Sequence, residues 1–146
     1  FSGRELDTRT LNVSGDSTFF GDISFQFING AQLNQLSGVF EIQGDLDLVN
    51  ASPGGAVERL TIASGATLRK SSGSGISILE VQSQIAGTLE LQSGQLQLYS
   101  GTASDGLSVA AGTQLRLSSF SLPASSSVSG DGSVHFVSGA VTVSGT

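Results

Sequence analysis

The sequence predicts an all-β chain wound as a parallel β-helix, a single-domain β-solenoid of about six to seven coils. Three observations predict it. Apolar and polar residues alternate in short runs. Glycine-bearing turns separate the runs. The runs return in two repeating motifs.

The alternation is read from Leu46-Asp47-Leu48, Leu60-Thr61-Ile62, Leu89-Glu90-Leu91, Leu96-Gln97-Leu98, Leu107-Ser108-Val109, Val134-His135-Phe136 and Val141-Thr142-Val143. A period of two sends apolar side chains to one face and polar ones to the other. No long segment carries apolar residues at helical spacing. Ser-Gly, Gly-Asp and Ala-Gly pairs between the runs mark turns.

The first motif is LTIASGATLRKSS at 60–72, which returns as LSVAAGTQLRLSS at 107–119, an offset of 47. Gly65 matches Gly112, Leu68 matches Leu115 and Arg69 matches Arg116. A fainter copy, LNVSGDSTFF, begins at Leu11. The second motif is IQGDLDLVN from Ile42, IAGTLELQS from Ile85 and GDGSVHFVS from Gly130, aligned on Gly44, Gly87 and Gly132. Together they predict three units of roughly 45 residues, approximately 11–59, 60–106 and 107–146, each made of two coils.

A single coil cannot bury its own apolar face, so coils stack and align their inward residues. The expected core is Leu46, Leu48, Leu60, Ile62, Leu68, Leu89, Leu91, Leu96, Leu98, Leu107, Val109, Leu115, Val134 and Phe136. Coils of about 22 residues with variable loops favour a right-handed winding, because a left-handed one needs a strict six-residue rhythm. A sandwich needs longer strands, and a propeller needs more blades. Phe25 and Phe27 share one face and are expected inside, near one end. Residues 50–58, with Pro53, and residues 120–127, around Pro123, are expected to be loops or corners. Lys70 stands where Leu117 stands in the other copy, and is expected near an edge with its ammonium in water.

Composition limits the function. Gly 20, Ser 26 and Thr 10 make up 38 % of the 146 residues, a weight of small turn and strand residues. Cysteine is absent, which excludes a disulfide scaffold, a thiolate metal site and a cysteine nucleophile. Six basic residues against twelve acidic ones, a net charge of −6, argue against nucleic acid. No apolar run is long enough for a transmembrane helix, so membrane insertion by this segment is not expected. A chain that begins with Phe1 is expected to be a fragment of a longer protein.

The strings LTIASGATLRKSS, IAGTLELQSGQLQLYSG and GDGSVHFVSGAVTVSGT resemble the repeats of large secreted β-helix proteins, such as autotransporter passenger domains and filamentous-haemagglutinin-like adhesins. The resemblance covers most of residues 9–146 and is one of composition and rhythm. It implies an extracellular, cell-surface rod that binds glycans or proteins. It carries over no catalytic motif.

Candidate contact residues are Asp45, Asp47, Glu90, Tyr99, His135, Arg69 and Arg116. Asp45 and Asp47 lie two apart on one expected outward face. Motif alignment puts Asp47, Glu90 and His135 in one column. Its members would be about 10 Å apart, too far for a proton relay, so a solvated face is the expectation and no catalytic residue is assigned. Asp16, Asp22, Asp45, Asp105 and Asp131 adjoin glycines, but the spacing of a calcium nonapeptide or EF-hand loop is missing. No cofactor is therefore expected, with calcium the lesser reading. Tyr99 is the one tyrosine, able to stack on a sugar ring. Motif alignment puts Ser108 in the position of Thr61, so no flat threonine array of the ice-binding kind is expected. The expected function is a non-catalytic adhesive rod, monomeric as a fragment. The alternatives are a polysaccharide-active or glycan-binding β-helix and a trimeric fibre segment.

Overall fold

The structure is a computed structural model that describes residues 4–52 and 55–146. Among these residues there are eighteen strands and no helix, and every strand pair is parallel. The strands stack as a solenoid of about seven turns with three faces.

The first face runs β1 (Arg4–Asp7), β4 (Phe25–Ile28), β7 (Leu48–Asn50), β10 (Ile76–Ile85), β12 (Gln95–Ala103), β14 (Gln114–Ser118) and β17 (Ser133–Ser138). The second runs β2 (Thr10–Ser14), β5 (Gln32–Ser37), β8 (Arg59–Ile62), the latter parts of β10 and β12, β15 (Phe120–Leu122) and β18 (Thr142–Val143). Because β10 and β12 cross the corner, these two faces form one twelve-stranded sheet. The third face is a six-stranded sheet of β3 (Ser17–Phe20), β6 (Val39–Gln43), β9 (Thr67–Ser72), β11 (Thr88–Leu91), β13 (Gly106–Val109) and β16 (Ser127–Ser129).

Alternation places the core. In β10, Ser77, Leu79, Val81, Ser83 and Ile85 are buried, and the residues between them are not. Register then stacks like on like. Leu48, Leu79, Leu98 and Leu117 form one inward column, and Phe40, Leu68, Leu89 and Leu107 another. Each buried leucine contributes roughly 1.5–3 kcal/mol relative to an exposed one. Phe27 is fully buried. Phe25 packs edge-on against it at 5.4 Å and against Phe19 at 5.2 Å, as expected of an aromatic cluster near one end.

Most of the expected core is buried, but Phe136 is 59 % exposed and Val134 only partly covered. Among the described residues, β17 pairs with β14 alone, so nothing stacks on its other side. The core also holds residues that the motifs did not mark, among them Leu33, Val81, Phe120 and Leu122.

The repeat means something other than a whole number of coils. From Leu79 the turns are 19 residues long: Leu79 pairs with Leu98, Leu98 with Leu117 and Leu117 with Phe136. An offset of 47 is two such turns and part of a third. Leu60 therefore lies on the second face, paired with Leu33 and Ser83, whereas Leu107 lies on the third, paired with Leu89 and Val128. The motif encodes a corner: strand, tight turn, strand. Ala66 N–H donates to the Ala63 carbonyl at 3.0 Å, and Thr113 N–H to that of Ala110 at 3.1 Å. Gly65 and Gly112 supply the positive φ that each turn needs, 82° and 77°.

The same geometry sharpens the reading of residues 120–127. Of the two expected forms, loop or corner, the structure has the corner. β15 and β16 flank a third such corner, closed by Ser126 N–H on the Pro123 carbonyl at 2.9 Å, and Phe120 and Leu122 are core. Of the expected loop at 50–58, Asn50 ends β7, and residues 51, 52 and 55–58 fall between β7 and β8, in the longest turn, where Leu48 and its partner Leu79 are 31 residues apart. Pro53 lies outside the described residues.

Candidate functional site

The solenoid turns three sets of polar columns outward, and they differ in how far their side chains are already engaged.

On the first face the outward column runs Gln97, Arg116, His135 in register. Arg116 donates to Gln97 Oε1 and to Gln114 Oε1, both at 3.1 Å, and Gln114 Nε2 lies 3.2 Å from His135 Nε2. The structure thus brings two candidates, Arg116 and His135, onto neighbouring rungs inside one side-chain network. A groove of about 340 Å³ runs beside it, lined by Gln95, Gln114, Asp131 and Ser133.

On the third face Arg69 and Glu90 are partners one rung apart, with Arg69 Nε donating to Glu90 Oε2 at 2.8 Å. That hydrogen bond raises the Arg69 pKa above the usual arginine range, and partial burial opposes it. Glu90 Oε2 also accepts from Gln92 at 3.0 Å.

The expected column of Asp47, Glu90 and His135 does not exist. Glu90 lies in the six-stranded sheet, whereas His135 belongs to the first face and Asp47 stands just before its strand β7. Motif alignment equated corners of different faces, and so merged side chains that point in different directions. Asp47 immediately precedes Leu48, and the register from Leu48 to Phe136 puts four ladder steps, roughly 19 Å, between it and His135. Nor do Asp45 and Asp47 share a strand, since both precede β7. Asp45 accepts from Gly75 N–H and from Lys70, and Asp47 Oδ1 accepts from Ile78 N–H at 2.7 Å.

Lys70 is the largest departure from the sequence reading. It is 0 % exposed, and occupies an inward position between Ile42 and Leu91 in register. Its ammonium donates to the Gly44 carbonyl at 2.5 Å, to Asp45 Oδ1 and the Ser72 carbonyl at 3.1 Å, and to Ser77 Oγ at 3.2 Å. Four acceptors gathered inside the corner replace the water that an edge position would have supplied.

Three of the five turn aspartates follow one rule that the sequence did not reveal. Asp16 accepts from Val39 N–H, Asp22 from Asp45 N–H and Asp45 from Gly75 N–H, so each carboxylate ties its corner to the next coil. No group of three or more His, Asp or Glu suited to a metal ion occurs among the described residues.

On the second face the outward column is Asn12, Asn34, Thr61, Gln84, Thr102, Ser121 and Thr142, in register through all seven turns. It contains no charge. Ser108, expected in the Thr61 position, is on the third face. Tyr99 stands, 44 % exposed, where β12 crosses from the first face to the second.

The chain matches no protein-family model, no curated protein and no solved structure. What the sequence shares with secreted adhesin repeats therefore reaches as far as the solenoid.

Proposed function

We propose that this chain is a non-catalytic, extracellular β-solenoid rod of the adhesin type, which presents its polar faces to glycans or proteins on other surfaces. The observation that supports this reading is the engagement of its three candidate carboxylates. Asp45 is tied to Lys70 and Gly75, Asp47 to Ile78, and Glu90 to Arg69 and Gln92. Glycoside hydrolysis needs two carboxyls about 5–9.5 Å apart across a substrate site. Asp45, Asp47 and Glu90, the candidate carboxylates, instead brace coils or neutralise neighbours, which favours hydrogen bonding as the chemistry of the outward faces. Stacked ladders make the scaffold stiff, which suits a surface that must stay extended.

The test is incubation with neutral and acidic polysaccharides, followed by measurement of retained protein and of new reducing ends or unsaturated sugars. Retention without new chain ends is the expected result. New chain ends that rise with protein concentration would assign the chain to the polysaccharide-active class.

A further inference from the structure

The three faces do not offer a ligand the same thing. The first face uses its side chains on one another, through Gln97, Arg116, Gln114 and His135. The third does likewise, through Arg69 with Glu90 and Thr67 with Thr88. On the second face, Asn34 donates to Asn12 at 2.8 Å, and Arg59 to Gln82 at 3.0 Å in the parallel column. Beyond Asn34, the outward groups of Thr61, Gln84, Thr102, Ser121 and Thr142 take part in no side-chain hydrogen bond among the described residues. Five consecutive rungs thus hold unused donors and acceptors, without a formal charge, at a spacing of about 4.8 Å.

Two further features lie on or beside this ladder. A hollow of about 250 Å³ is lined by Thr61, Gln84 and Thr102 together with Ile85, Ala86 and Ser104, so hydroxyl and amide groups flank apolar carbon. Tyr99, whose hydroxyl has no hydrogen-bond partner among the described residues, stands exposed at the near corner, three residues before Thr102 on the same strand. A sugar ring presents the complementary pattern, with hydroxyls at its edge and C–H groups on its face.

We propose that the second face is the binding site, and that its ligand is a linear neutral polysaccharide laid along the solenoid axis across the rungs of Thr61, Gln84, Thr102 and Ser121. This rests on the reading of the chain as a glycan-binding rod, and names the face and the class of glycan. The row itself carries no charge, so among the described residues an acidic polysaccharide meets a single cation in the strands of this face, Arg59, already donating to Gln82, and the chain's net charge of −6 repels it. A regular row of rungs favours a ligand that is itself repetitive, since each added sugar meets a further rung.

The experiment is titration calorimetry of the 146-residue chain with cellohexaose, chitohexaose, xylohexaose and mannohexaose, and with an oligogalacturonate of equal length. At least one neutral oligosaccharide is expected to bind, and the oligogalacturonate at least tenfold more weakly. The pair Gln84→Ala with Thr102→Val is expected to lower neutral binding at least tenfold, and Tyr99→Ala to lower it severalfold. All three positions point outward, so melting should be unchanged. Thr61→Val, which keeps the side-chain volume, serves as the second variant should the pair fold poorly. Loss of binding on Arg116→Ala with the second-face variants unaffected would overturn this site while leaving the rod reading intact. Binding by none of the neutral oligosaccharides would overturn the proposal. Their cleavage would overturn the rod reading as well.

Discussion

Lys70 and Asp45 meet at 3.1 Å at the corner where the third face gives way to the first, with Lys70 wholly inside the solenoid and Asp45 about one-third exposed. Asp45 also accepts from Gly75 N–H, and Ser77 Oγ shares the Lys70 ammonium. The cluster thus joins residues 44–45 to residues 70–77 of the next turn. Burial of an ammonium is tolerated only while its acceptors are in place. Lys70→Met should leave the Gly44 and Ser72 carbonyls short of a donor and lower stability by about 2–4 kcal/mol. Asp45→Asn should cost less, because Asp45 reaches solvent. Urea denaturation reads both, and unchanged midpoints would mean that the ammonium does not hold this corner together.

Leu89 and Glu90 test the alternation on adjacent residues. Leu89 is fully buried between Leu68 and Leu107, and Glu90 points outward with about a third of its side chain exposed. Leu89→Asp should unfold the chain, and Glu90→Ala should cost no more than about 1 kcal/mol. The Arg69 contribution to that pair carries a definite pH sign. A raised folded-state pKa on a base stabilises fully below the unfolded value and is lost only as pH rises through the folded one. The Arg69 contribution should therefore stay constant from neutral pH to about pH 10. Equal destabilisation by the two substitutions, measured by thermal melting, would contradict the assignment of faces.

Leu117 and Phe136 are register partners in one inward column with opposite exposure, 0 % and 59 %. Leu117→Ala should cost about 2–5 kcal/mol and Phe136→Ala about 0.5 kcal/mol. A large loss at Phe136 in chemical denaturation would show that something covers it in solution.

Two glycines separate close approach from turn geometry. A Cβ at Gly87 would overlap the carbonyl oxygens of Ala66 and Ala63 on the preceding coil, while one at Gly112 would meet open space, at a φ of +77°. Gly87→Ala should cost about 3 kcal/mol by overpacking, and Gly112→Ala about 1 kcal/mol by left-handed strain. The reverse order of melting temperatures would place the tight inter-coil contact elsewhere.

The solenoid was legible because alternation and turns are local, and a period of two with frequent small residues admits few folds. Register was not, because it depends on how many residues each turn takes. The copies at Leu60 and Leu107 mark like corners on unlike faces, so alignment by motif misplaced Glu90 and Ser108. Phe120 and Leu122 were missed because the loop or corner expected around Pro123 was drawn to include them, although a proline just beyond a strand end breaks no ladder. Lys70 defied its residue type, and only the position of Leu117 in the sister copy hinted that the site faces inward. The second-face ladder was invisible for a simpler reason: Asn34, Thr61, Gln84 and Thr102 are 27, 23 and 18 residues apart, so no fixed sequence period joins them.

Backbone amide NMR of the chain titrated with the neutral hexasaccharide that binds most tightly tests the central claim most directly, because it reads every face at once. Shifts are expected at Thr61, Gln84, Thr102, Ser121, their ladder neighbours and Tyr99, with Arg116 and His135 unmoved. Shifts centred on the Arg116–His135 network, or on residues 55–58, would contradict it.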